Sequence, residues 1–441
     1  MTNEILRNLL RFSLLCMMGL SSPSAFSAGY INDAVEYSSL SIYKPVVLSG
    51  EKLNSLISAP TDSIAVYSVL NKQFRPISFQ IDKKDSDGYY TFSEDIKSNN
   101  SKLSVDEYEI LGDYLNNDKL FDENDECVFM MSDAGSKLSW NARSENIRIK
   151  HITEVKLRND SNYERFVYVV VFDGLNEVSE SLHDYVKYDP VHDVISTDTY
   201  KIGFSKSTPV LINEMKWINN LSEDGFNFID GMKVNHNGVL KFFGMRFDFV
   251  RNQNDYNSRT SGYKDGLIRV IRKTENNIRM FWGIDSPAFN IDYVAYSHGF
   301  SMINAIDLPF SIGTLFDDVT TDMLMAWSDD VSVPLTLVYS DKVKDGAAID
   351  GDMSSRDIAI NNSGDQDFIV SNQIGDIKVS LTKEDGFQVK HRVIMLDGAG
   401  ENYGNVGFHT SNWENVDNDK VHQMLFDVLM ISSSNKISSV Y

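Results

Sequence analysis

The sequence predicts a mainly β protein: antiparallel β-sandwich architecture, two or three β units and few helices. Three observations predict it. Short apolar or alternating runs recur along the chain, Asp-Gly pairs punctuate them, and segments of helical period are scarce. Helices do not alternate with strands, which argues against a parallel α/β fold. Hydrophobic residues at 42% of 441 supply a sizeable core and exclude wholesale disorder.

The elements follow in chain order. Ile77, Phe79 and Ile81 alternate with Ser78, Gln80 and Asp82, the period-2 signature of a half-buried strand. Ser104 to Tyr114 reads as a short helix. Phe166 to Phe172 (FVYVVVF) is an unbroken apolar run stopped by Asp173-Gly174, as expected of a strand buried on both faces. Leu267 to Thr274 and Ile278 to Trp282 flank Glu275-Asn276-Asn277 and read as a hairpin. Leu335 to Tyr339, Phe368 to Val370, Ile377 to Leu381 and Val393 to Leu396 are further short strands. Turns are expected at Asp265-Gly266, Asp350-Gly351, Asp385-Gly386 and Asp397-Gly398, and a loop at Asp345 to Asp367. Val421 to Met430 (VHQMLFDVLM) is the best helix candidate. The expected division is a signal peptide at 1–28, an N-terminal β unit at 29–145, a central sandwich at 146–310, and a β-rich region at 311–441 that is either separate or continuous with the central one.

The N-terminus predicts export from a bacterial cell, to the periplasm or beyond. Arg7 and Arg11 precede a short apolar stretch, Phe12 to Leu20, and Pro23 to Ala28 offers small residues for cleavage. The apolar stretch is shorter than the ~20 residues that span a bilayer, and no later run of 18 apolar residues follows, so no membrane span is expected after cleavage. Removing the signal leaves one cysteine, Cys127. Its neighbours Asp122, Glu123, Asp125 and Glu126 would raise a thiol pKa, so a buried packing role is expected rather than a nucleophile.

Charge narrows the partner. The net charge of −22 excludes nucleic acid as a main ligand, because phosphate binding needs a basic footprint. Within this acidic chain, Lys241 to Arg279 holds nine Lys and Arg against four Asp and Glu, a local balance of 9 − 4 = +5. Aromatics are interleaved. Tyr263, Lys264, Arg279 and Trp282 are therefore the expected ligand-binding residues for an acidic glycan, since Arg pairs a carboxylate in bidentate fashion. The competing expectation is cross-strand charge pairing on a twisted sheet. Strand alternation also places Arg269 and Arg272 on opposite faces.

Asn116, Asp118, Asp122 and Asp125 fall at positions 3, 5, 9 and 12 of a twelve-residue loop, a candidate Ca²⁺ site. Tyr114 at position 1 and Lys119 at position 6 depart from the EF-hand pattern. His298, beside Tyr296, has the chemistry of a general base or acid. No metalloprotease HExxH, no G-x-S-x-G, no P-loop and no dinucleotide fingerprint occurs.

Three islands carry a resemblance: Pro76 to Asp82; Asp125-Glu126 with Phe129-Met130 and Asp133-Ala134-Gly135; and Lys264-Asp265-Gly266 with Arg269 to Arg272. Together they resemble a group of exported, β-rich bacterial proteins, which implies compartment and fold class but no activity. The Pro76-x-x-x-Gln80 strand is also similar to one in secreted polysaccharide lyases built on large β-sandwiches, which transfers no residue.

Two functions are expected from different classes. One is a non-catalytic exported β-sandwich that binds a polysaccharide or an envelope protein. The other is a lyase on acidic polysaccharide. It would use Arg269 or Arg272 to neutralise the uronate carboxylate, and His298 and Tyr296 as base and acid. The lyase requires Arg269, Tyr263 and His298 to converge on one concave face.

Overall fold

The computed structural model describes residues 27–30, 34–85, 88–92, 119–139, 149–174, 182–219, 222–281, 283–308, 310–328, 336–418 and 421–432. The expected signal sequence up to residue 26 and the expected helix at 104–114 lie outside them. Among the described residues the strands form four sheets, of six, three, nine and ten strands. The chain is mainly β, and the sheets are antiparallel except where Ser27–Tyr30 and Val35–Tyr37 pair in parallel with Ile149–Asn159. No helix of the described residues is long and apolar enough to cross a membrane.

The six- and three-stranded sheets pack as a small sandwich. Glu164–Phe172 is central in the six-stranded sheet, between Ile149–Asn159 and Ile64–Leu70. Val167, Val169 and Val171 join a core with Leu48, Cys127 and Phe129 of the three-stranded sheet, while Phe166, Tyr168 and Val170 fill a second cluster behind. Both faces of this strand are buried, as its unbroken apolar run requires. Burial pushes the Cys127 thiol up to about 12, with Asp82 adding to the effect. The strands of 149–172, expected in the central unit, thus pair with N-terminal ones.

The nine- and ten-stranded sheets form the large sandwich. Met215, Trp217, Met325 and Phe408 of one sheet and Tyr293, Phe300, Phe368 and Phe426 of the other belong to one continuous core. Tyr200 ties the layers together, its phenol donating to the carbonyls of Tyr296 at 2.8 Å and Gly299 at 2.6 Å.

Three expectations are corrected here. The segment at 421–430 is a strand, His422–Ser432, between Gly299–Ile306 and Gly375–Lys383. Met424, Phe426 and Val428 face the large core, and Leu429 and Ile431 pack on the other side with Tyr296 and Tyr43. Its last residues, Val428 to Ile431, are buried on both faces, and such an unbroken apolar run also satisfies a helical period. The expected hairpin is one uninterrupted strand, Arg269–Phe281, hydrogen-bonded to neighbours on both sides. Asn276 sits mid-strand without cost to the core. Its amide donates to Thr274 Oγ1 at 3.0 Å and accepts from Ser258 Oγ at 2.7 Å, so the buried group is satisfied. The expected loop at 345–367 contains a helix, Ser355–Ser363. A capping box of Ser354 with Asp357 starts it, and Gly364, at φ 70°, ends it in the left-handed conformation.

Candidate functional site

The basic island does not build a cleft. Arg269 leaves the outer face of the ten-stranded sheet and is buried against the small sandwich. Its Nε donates to Asp82 Oδ2 at 2.7 Å, and its Nη2 donates to Glu126. Lys264 reaches the other Asp82 oxygen at 2.8 Å, and Lys84 reaches Glu126 at 2.5 Å. Gln80 completes the network. Its Nε2 donates to Asp82 at 2.6 Å, while its Oε1 accepts from the backbone of Ile268 and Arg269 at 3.1 and 3.0 Å. Gly266 is needed beside it, because a Cβ there would lie 2.1 Å from Gln80 Oε1.

Arg272 lies on the opposite face, as period 2 demands, and is fully buried under the large core. It pairs with Asp193 at 2.7 and 2.5 Å, donates to Thr260 at 2.9 Å, and stacks 3.8 Å above the Phe204 ring. Tyr263, paired with Arg272, packs its ring 4.9 Å from that of Tyr188. Other cations of the island have partners too: Arg259 pairs with Glu275 at 2.8 Å, and Lys241 and Arg246 converge on Asp317 at 2.8 and 2.7 Å. Arg279 is exposed, on a strand edge beside Asp285. Trp282 lies outside the described residues. Within the island, Lys264, Arg269 and Arg272 form ion pairs between sheets, and Lys241, Arg246 and Arg259 form them between strands of one sheet.

The lyase constellation does not assemble. Arg269 and Tyr296 are cross-strand partners on the outer face, whereas Tyr263 and Arg272 face inward. Tyr296 is buried with Leu429, Ile431, Leu40 and Tyr43, and burial drives its phenol far up. His298 caps the turn after Tyr296. Ser297 Oγ sits 2.7 Å from its Nδ1, the Tyr43 ring packs 5.1 Å away, and burial lowers its pKa.

For the candidate calcium loop, Asn116 and Asp118 lie outside the described residues. Asp122 Oδ1 accepts the backbone N–H of Asn124 and Asp125 at 2.8 and 3.2 Å, closing a local turn. Asp125 Oδ2 is taken by Lys83 at 2.6 Å and by the backbone of Asp122 at 2.9 Å. Among the described residues no group of three or more His, Cys, Asp and Glu is placed to hold a metal.

The geometry instead offers a polar groove of about 380 Å³ at one end of the large sandwich. Its floor holds Thr208, Met232, Ala326 and Trp327, all buried, and its rim Asn213, Asp230, Asn254 and Glu401, all exposed. Two lining groups are orphans. Trp327 is 3% exposed and its indole N–H meets no acceptor, and Gln253 Oε1 is buried with no donor. Buried polar groups are satisfied in the great majority of cases, so these two atoms are open to a hydrogen-bonding partner from outside the chain, water included. The half-buried ring of Tyr403 adds an amphipathic wall. Lys233 is anchored, donating to the Glu401 carbonyl at 2.5 Å and Asn405 Oδ1 at 3.1 Å.

Sequence inspection missed this groove. Trp327 ends the strand Phe316–Trp327, Gln253 opens a short turn, and Glu401 and Tyr403 follow another strand. No spacing links them.

No family model matches the chain, and no curated protein does. Over 54% of its length it is similar to a galactose mutarotase-like protein from Lactobacillus casei ATCC 334, of which 99% is covered, at 10% identity and a TM-score of 0.34. Over 55% it is similar to the α-N-acetylgalactosaminidase NagBb from Bifidobacterium bifidum, of which 36% is covered, at 12% identity and a TM-score of 0.34. Likenesses this distant carry no statement about activity or ligand.

Proposed function

We propose that this chain is an exported, non-catalytic β-sandwich protein that binds a neutral glycan in the polar groove. The observation that carries this reading is the pair of orphaned groups on the groove wall, the Trp327 donor and the Gln253 acceptor. A sugar hydroxyl donates and accepts at once, so one ligand type satisfies both. Charge decides against an acidic sugar. Two carboxylates, Asp230 and Glu401, line the groove against the single anchored ammonium of Lys233. A uronate would meet net repulsion there.

The test is a thermal-shift screen with neutral and uronate-containing oligosaccharides. A ligand that binds only the folded state raises Tm. Neutral sugars are expected to shift Tm, and Trp327→Phe, which keeps an aromatic ring but removes the donor, is expected to weaken affinity about tenfold. A shift confined to uronates, or one that Trp327→Phe leaves untouched, overturns the reading. An EDTA arm bears on calcium: an EDTA-induced drop in Tm would return Asp122 and Asp125 to the metal-site reading.

Export is part of the proposal. The mature protein, recovered from periplasm or medium, is expected to begin near residue 29. An intact Met1 terminus on protein confined to the cytoplasm refutes it.

A further inference from the structure

A second cavity, of about 300 Å³, lies between the two large sheets at the same end of the sandwich. Leu211 lines both it and the polar groove. The two differ in chemistry. Buried Val234, Phe249, Ile291 and Met302 form the floor, and exposed Ala288 and Phe310 form the rim. Its size is within the range of small-molecule sites, about 300–1,000 Å³, which are mostly apolar with a few placed polar groups.

Most of the polar groups on this wall are already engaged. His236 sits between Thr321 Oγ1, 2.9 Å from Nδ1, and the Tyr256 hydroxyl, 2.7 Å from Nε2. The exception is Asn304, whose Oδ1 is shielded from solvent and receives no hydrogen bond. Among the described lining residues Asp307, on the rim, is the one charged at neutral pH; the nearby Arg251 lies over the Phe249 ring with its guanidinium held by the carbonyls of Arg279 and Met280. The lining itself thus offers an anionic head group no cation, and the Arg251 guanidinium is already engaged by backbone carbonyls. A protein helix is excluded by width: the gap between packed sheets is about 10 Å, and a helix with its side chains needs about 10–12 Å.

We propose that this cavity binds a slender, uncharged alkyl chain bearing a hydroxyl, with the chain in the apolar space and the hydroxyl donating to Asn304 Oδ1. This goes beyond the glycan reading and stands without it, since it rests on other residues.

The experiment uses the mature full chain and two probes, 1-decanol and decanoate, below their aggregation thresholds, with binding read by calorimetry and by Tm. Decanol is expected to bind and raise Tm, and decanoate is expected to bind at least about tenfold more weakly for want of a cation. Asn304→Leu keeps the branched shape, with bulkier methyl ends, and removes the acceptor. It is expected to fold with an unchanged or higher Tm, because an unsatisfied buried carbonyl has gone, yet to lose about tenfold in decanol affinity. Ala288→Trp at the exposed rim fills the mouth without touching the core. It is expected to abolish decanol binding while far-UV circular dichroism stays unchanged. The proposal is overturned if decanol does not bind, if decanoate binds as tightly as decanol, if Asn304→Leu leaves decanol affinity unchanged, or if decanol binding survives Ala288→Trp. Failure of decanol with intact oligosaccharide binding would sink this inference and leave the glycan reading standing.

Discussion

Replacing Arg269 with Met is expected to destabilise the protein by about 3 kcal/mol, the lower end of the 3–5 kcal/mol cost of breaking a buried ion pair. The Arg269 side chain is 4% exposed and that of Asp82 is 0% exposed. Removing the guanidinium strands two carboxylates in the joint between the sandwiches. The loss stays near the lower end because Asp82 retains Lys264 and Gln80, and Glu126 retains Lys84 and the Tyr90 hydroxyl. Arg269→Lys restores the charge but not the fork that addresses two carboxylates at once, so it should fall between wild type and Met. Urea unfolding midpoints measure this, and a double-mutant cycle with Asp82→Asn isolates the pair. A loss below about 1 kcal/mol, typical of a surface pair, would mean the network does not hold the joint.

The same network has a pH signature. Burial pushes the Asp82 carboxyl up, but Arg269 and Lys264 outweigh it and hold the group below the usual carboxylate range. For Glu126 burial is likewise outweighed, by Arg269 and Lys84. Depressed folded values mean that this stability is complete above the ordinary carboxylate pKa of about 4 and is lost as pH falls below it.

A larger acid effect is expected higher on the scale, from His236. Burial lowers its pKa to about 4, against smaller opposing contributions from Asp322 and Asp255. The ring is neutral in the fold and protonates in the unfolded chain near pH 6.5. The unfolded state thus binds the extra proton first. Stability from this group is complete above pH 6.5 and is lost as pH falls through the folded value. The loss is on the order of 3 kcal/mol, at 1.36 kcal/mol per pKa unit. His236→Gln keeps hydrogen-bonding capacity towards Thr321 and Tyr256 but does not titrate. Its unfolding free energy should therefore fall less than that of wild type between pH 7 and pH 4, and the difference between the two curves measures the His236 contribution. Parallel curves would show that the ring is not desolvated as described. Asp292, raised by burial, acts in the opposite direction and is common to both proteins, so it cancels.

Some of this was legible in the residues alone. An apolar run such as Phe166 to Phe172 determines a strand buried on both faces, because it is rich in β-branched valine and Asp173-Gly174 stops it too soon for a helix. Period-2 alternation determines that Arg269 and Arg272 part company, and acidic, apolar surroundings determine that Cys127 is an inert buried thiol. These are local rules, settled by neighbours in the chain. Other features were decided only by the tertiary structure. A local count made Lys241 to Arg279 a basic patch, but the partner of Arg269 lies 187 residues away and that of Arg272 lies 79 away. Charge summed along a sequence cannot see such pairs. The same holds for His422–Ser432, which two flanking strands, and a second covering layer over Leu429 and Ile431, turn from a helical pattern into a central strand. It holds also for the groove of Trp327 and Gln253, whose unpaired atoms exist as a site only because folding brings separate turns and strand ends to one wall and leaves that wall short of partners.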